Sequence, residues 1–105
     1  MTPLSAANPR VKEARKLSRR SVRAERRLFL ADGPKAVEGA LGNGCVTEVF
    51  VTPAAARQYD ALVAQAPQVC LVDDRALGSL SDSVTPAGIV AVCSFLDVPL
   101  ASALD

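Results

Sequence analysis

LFLADGPKAVEGALGNGCVTEVFV, residues 28–51, holds the reading that decides the fold. LFLAD (28–32) is an apolar run too short for a helix and predicts a buried strand. Asp32-Gly33-Pro34 then opens a helix, with Asp32 as a possible cap and Pro34 in its first turn. Gly42-Asn43-Gly44 is a glycine stop. VTEVFV (46–51), rich in β-branched side chains, is a second strand. The glycines close this helix, so they do not form the glycine-rich nucleotide loop that opens one after a strand.

The same alternation continues on both sides. Downstream, Thr52-Pro53 starts a helix with Ala56, Tyr59, Leu62, Val63 and Ala66 at helical spacing, and Pro67 follows it. VCLVD (69–73) is a third strand, and Asp73 caps a short helix carrying Leu77 and Leu80. The turn-rich SDSVTPAG (81–88) leads into a fourth strand, IVAVCSF (89–95). Upstream, Asn8-Pro9 starts a helix that runs to about Arg20 or on to Arg27. Four short apolar strands alternating with helices predict an α/β domain whose sheet is covered on both faces. The domain is expected over residues 1–95, and LDVPLASALD (96–105) reads as the start of a linker.

At 105 residues the chain is one domain's worth, and 50 % of it is hydrophobic. Its aromatic residues are Phe29, Phe50, Tyr59 and Phe95, so the core is built from Val, Leu and Ala. No apolar run approaches the roughly 18 residues of a membrane span, and no apolar h-region marks a signal peptide. Three separated cysteines, Cys45, Cys70 and Cys93, with no histidine, argue against zinc and for buried, reduced thiols in a cytosolic protein.

The net charge of +1 hides a division. Residues 8–27 carry nine of the twelve Lys and Arg. Residues 1–35 sum to +7 and residues 36–105 to −6. On one continuous helix, Lys12, Arg15, Lys16, Arg19, Arg20, Arg23, Arg26 and Arg27 share an arc of about 140°. Ala14, Leu17, Ser21, Ala24 and Leu28 take the opposite arc, fit to dock on a sheet, and Arg10 lies off the stripe. Cations at i+3 and i+4 repel, a cost that a polyanion relieves. The alternative is an ordinary solvated face. A membrane surface fits poorly, because the opposite arc lacks the Leu, Phe and Trp that insert into lipid.

Arginine dominates the stretch, and its planar fork suits phosphate and stacks on splayed bases. No aromatic lies within residues 8–27, so recognition of a folded, phosphate-dense nucleic acid is expected over aromatic stacking of single strands. Gly33-Pro34-Lys35 reads either as a phosphate-holding helix start or as a plain strand-to-helix turn. Thr85-Pro86-Ala87-Gly88 is a second turn with a hydroxyl and an exposed backbone that could join the surface, although turn chemistry alone explains it.

Taken in order, the NPRVK start, the basic helix, FLADGPKAV, VTEVFVT and LSDSVTPAGIVAVC resemble the N-terminal substrate-binding domain of SpoU-type RNA 2′-O-ribose methyltransferases. These belong to the knotted SPOUT superfamily, and the thiostrepton-resistance-like rRNA methyltransferases are similar in layout. The resemblance covers residues 8–98 and implies a three-layer α/β/α sandwich with a four-stranded mixed sheet, like the kink-turn-binding ribosomal proteins. It implies a grip on structured ribosomal RNA, with Arg10, Lys12, Arg15, Lys16, Arg19, Arg20, Arg23, Gly33, Lys35 and Thr85 facing the RNA. It places S-adenosylmethionine, catalysis and dimerisation in a further C-terminal domain, leaving these 105 residues a cytoplasmic, catalytically inactive monomer without a cofactor. Two positions depart from the family: Asp32 stands where Glu is usual before Gly33, and Ala87 where Gln is usual. A free-standing RNA-binding protein of ribosomal-protein type is the alternative reading. An enzyme acting alone is disfavoured, since Asp73-Asp74 reads as a helix cap rather than an acid/base pair.

Overall fold

A computed structural model describes residues 3–81 and 85–95. The expected linker, residues 96–105, lies outside the described residues. The strands are β1 (Leu28–Asp32), β2 (Val46–Val51), β3 (Val69–Leu71) and β4 (Ile89–Ser94). The helices are α1 (Pro9–Arg15), α2 (Arg20–Arg26), α3 (Pro34–Gly42), α4 (Pro53–Gln58), α5 (Asp60–Gln65) and α6 (Asp74–Leu80), with a 3-10 turn at Lys16–Ser18.

The four strands form one mixed sheet in the order β1-β4-β2-β3. β2 and β3 run parallel, while β4 is antiparallel to both β1 and β2. Alternation along the strands sends side chains to two cores. Phe50, Val90 and Val92 face Val11, Leu17, Leu77 and Leu80 of α1, the 3-10 turn and α6. Val49, Val51, Ile89 and Ala91 face Val37, Ala40 and Ala55 of α3 and α4. The result is the expected three-layer α/β/α arrangement. Each fully buried Leu, Ile, Val or Phe contributes about 1.5–3 kcal/mol from removal of apolar surface from water. The two sheet edges differ. Leu4 pairs in parallel with Val72 and bonds across Leu71 and Asp73, extending the sheet beyond β3. β1 is the opposite edge.

Local chemistry explains most element starts. The Asn8 side chain accepts from the Arg10 N–H, with Pro9 in the first turn of α1. Thr52 caps α4 through Ala55, and Asp73 caps α6 through Ala76 at 2.7 Å. Asp32 does not cap α3. Gly33 holds that position at φ 96°, and Asp32 instead accepts from the Ser81 hydroxyl at 2.7 Å. The helix expected over Thr52–Ala66 is broken at Tyr59 into α4 and α5, which lets Ala55 and the half-buried Leu62 and Val63 all meet the α3 side of the sheet. The longest expected helix is broken too, as described next.

Candidate nucleic-acid interface

The basic stretch is not one helix. α1 ends at Arg15, the 3-10 turn follows, and Arg19 is extended at φ −91°, ψ 129° before α2 begins. Burial of Leu17, 2 % exposed, fixes the turn against the sheet. Arg23 then reaches back, and its Nη1 donates to the carbonyls of Leu17 and Ser18 at 3.1 and 3.2 Å. Those carbonyls are the orphan acceptors of a helix end, so Arg23 caps the turn. The apolar arc of a continuous wheel fails for the same reason. Ser21 and Ala24 are exposed, and Val22 packs on the core instead.

The break changes a stripe into a bowl. Lys12, Arg15, Lys16, Ser18 and Arg19 line a shallow depression of about 330 Å³ that no acidic side chain borders. Arg20 follows at the start of α2 and is exposed. Glu13 lies on the other flank of α1 and holds two of the cations. Its carboxylate accepts from Lys16 at 2.8 Å and from Arg26 of α2 at 2.7 Å. Lys16 and Arg26 together hold the Glu13 carboxyl below the usual carboxylate range. Glu13 therefore ties α1 to α2 across the break.

Arg10 is turned away from the bowl. It pairs with Glu48 of β2, beside a second cleft lined by Glu13, Arg26 and Leu28. The Cys70 thiol also points at Glu48, at 3.6 Å. Burial pushes that thiol up, opposed in part by the Arg10 charge. Cys45, Cys70 and Cys93 are all free and buried, as a structural role requires.

A narrower cleft of about 220 Å³ adjoins the bowl. Arg15 and Ser18 line both depressions. Arg23, Leu30, Asp32 and Ser79 complete the cleft's wall. Gly33, Lys35 and Thr85 line neither the bowl nor this cleft. Lys35 lies on α3, in the opposite layer, along a groove beside β1. The Gly33 N–H is taken by the Ile89 carbonyl at 3.0 Å, which places the α3 start beside the turn that ends at Gly88. Of the ten residues expected to face RNA, the fold thus gathers Lys12, Arg15, Lys16 and Arg19 in the bowl, with Arg20 next to them and Arg23 on the wall of the adjoining cleft, while Arg10, Gly33, Lys35 and Thr85 do not line the bowl. Ser18 and Glu13 escaped the sequence reading. A Glu three residues before a Lys signalled the first of Glu13's pairs, but the second depends on the break.

Among the described residues, no group of His, Cys, Asp and Glu could hold a metal ion, and no helix is long and apolar enough to cross a membrane.

The model of the MRM3-like substrate binding domain family matches residues 8–91. No curated protein matches the chain. An RNA 2′-O ribose methyltransferase crystal structure superposes with a TM-score of 0.81 at 27 % identity, covering 94 % of this chain and 40 % of that one. An AdoMet-bound rRNA methyltransferase from Sinorhizobium meliloti gives 0.71 at 28 %, covering 94 % and 38 %. A putative RNA methyltransferase of the TrmH family from Porphyromonas gingivalis gives 0.65 at 26 %, covering 85 % and 35 %. The chain therefore spans about two fifths of the length of these solved structures.

Proposed function

The chain belongs to the MRM3-like substrate binding domain family, and from that premise we propose that it grips structured ribosomal RNA for a 2′-O-ribose methyltransferase. The observation that carries this reading is the acid-free bowl of Lys12, Arg15, Lys16, Ser18 and Arg19. Five donor side chains converge on one concave surface; Glu13, outside it, engages Lys16 at its rim and Arg26, and Glu48 engages Arg10. Such a surface neutralises phosphates and releases their counterions. Arg15 and Arg19 supply planar forks, Lys12 and Lys16 supply mobile point charges, and the Ser18 hydroxyl donates between them. Arg20 extends the surface along the strand of phosphates. Arg23 shapes the bowl by capping the turn, and Arg10 anchors α1 to β2.

The methyl transfer belongs to a part of the protein beyond this domain, where S-adenosylmethionine supplies the methyl group. The clefts described above do not suit that cofactor. On the first, Arg15 and Arg23 outnumber Asp32, whose carboxylate already accepts from Ser81, and would repel its sulfonium; Glu13 and Glu48 beside the second are already ion-paired. With the family resemblance as the support, we infer that this domain is inactive by itself and a monomer in the cytoplasm, and that the full-length enzyme dimerises through its catalytic part.

The test is amide-shift mapping of the 105-residue chain against a structured rRNA fragment. Shifts concentrated at residues 12–20 are expected. Shifts concentrated on α4 and α5, or none at millimolar RNA, would contradict the reading. Methyl transfer by this chain without another domain would overturn its inactivity.

A further inference from the structure

The narrow cleft beside the bowl is built differently from a phosphate site. We propose that it holds one unstacked RNA base, next to the phosphates in the bowl. This rests on the RNA-binding reading above.

The first observation is the uncovered edge of β1. Gly33 donates to Ile89 at 3.0 Å, and Phe95 donates to Arg27 at 3.1 Å. With Phe29 opposite Cys93 and Ala31 opposite Ala91, the odd-numbered residues are the ones that bond β4. Antiparallel pairing alternates, so the N–H and C=O of Leu30 point away from β4 to the free edge. Leu30 lines the cleft. Its backbone offers a donor beside an acceptor, and every base carries the complement on its Watson–Crick edge, as uracil does at N3–H and O4.

The second observation is the wall. Leu17 and Leu80 are 2 % and 5 % exposed and give an apolar floor. Arg23 is half-buried, with its guanidinium fixed by two backbone carbonyls. Arg15 is half-buried as well, and no hydrogen bond or ion pair engages it among the described residues. A guanidinium plane held beside Leu17, Leu30 and Leu80 is a stacking surface for a base. Arg15 and Ser18 border both cleft and bowl, so a nucleotide seated here would leave its phosphate among Lys12, Lys16 and Arg19.

The experiment compares a uridine hexanucleotide with an abasic hexamer of the same charge, using the 105-residue chain. The base-bearing oligomer is expected to bind about tenfold or more tightly. The Leu30 amide resonance is expected to move only with the base-bearing oligomer. Equal binding by both, with Leu30 unmoved, overturns the base site and leaves phosphate binding standing. Tighter binding with Leu30 unmoved also overturns it. Binding of neither overturns the base site, and the mapping against structured rRNA decides the RNA-binding reading separately. Ser79→Trp, which fills the cleft and alters no cation, is expected to abolish the difference between the oligomers without changing the salt dependence. A difference that survives in the folded variant would contradict the proposal.

Discussion

Gly88 sits where a side chain has no room. A Cβ added there would lie 2.8 Å from the Ala55 Cβ and 2.9 Å from the Thr52 Oγ1, at a φ of +95°. Its carbonyl also accepts from the Thr52 N–H, so the turn and the start of α4 are locked together. Gly88→Ala is expected to cost about 2–4 kcal/mol through overpacking and backbone strain. On a chain of this size that lowers the melting temperature by roughly 10–20 °C in a circular-dichroism scan. Gly39 is the contrast, on the exposed side of α3 with open space around it. Gly39→Ala should stabilise by about 0.5–1 kcal/mol. Burial, with Cys45 beside it, pushes the Cys93 thiol up to about 12. A raised folded value means that the thiol's contribution is intact below its unfolded pKa of about 8.5 and is lost as pH rises above it. Stability should therefore fall above about pH 8.5, and Cys93→Ser, which removes the titrating thiol, should flatten that slope in urea titrations at successive pH values. Single residues were legible where a side chain acts on its neighbours. Asn8 and Asp73 cap as their sequence context indicates. Asp32 does not, because Ser81, far along the chain, takes its carboxylate.

At the scale of elements, Glu13 joins α1 to α2 through Lys16 and Arg26. Those two cations hold its carboxyl low, so the tie is complete above the ordinary carboxylate pKa of about 4.3 and is lost as pH falls through the lower folded value. Protection of the α2 amides, relative to their intrinsic exchange rates, should fall below about pH 4 while that of β4 stays high. Glu13→Gln should show the reduced protection already at pH 7. Exchange in α2 that ignores both changes would remove Glu13 from this role. The strands, their order along the chain and the covered sheet were legible, because short apolar runs between turn residues have few other readings. The broken helices were not. No Gly or Pro marks Lys16–Arg19 or Tyr59, and an unbroken period of charge and apolar residues runs through both. What breaks them is the shape of the sheet, which Leu17 on one face and Ala55, Leu62 and Val63 on the other must follow.

For the molecule as a whole, one layer carries the positive charge and the rest is acidic. Composition showed that division, and it located the candidate interface to one stretch. It did not show which cations are spoken for, since Arg10, Arg23 and Arg26 find their partners only in three dimensions. On the function proposed above, the exposed cations around the bowl, not positive charge in general, bind RNA. The most direct measurement is the salt dependence of binding to a structured rRNA fragment by wild type, by Lys12→Glu/Arg19→Glu/Arg20→Glu, and by Arg57→Glu on the opposite layer. Expected are a steep wild-type slope, a triple variant with much weaker binding and a slope smaller by about 2–3, and an Arg57→Glu variant close to wild type. A triple variant that keeps the wild-type affinity and slope would contradict that function.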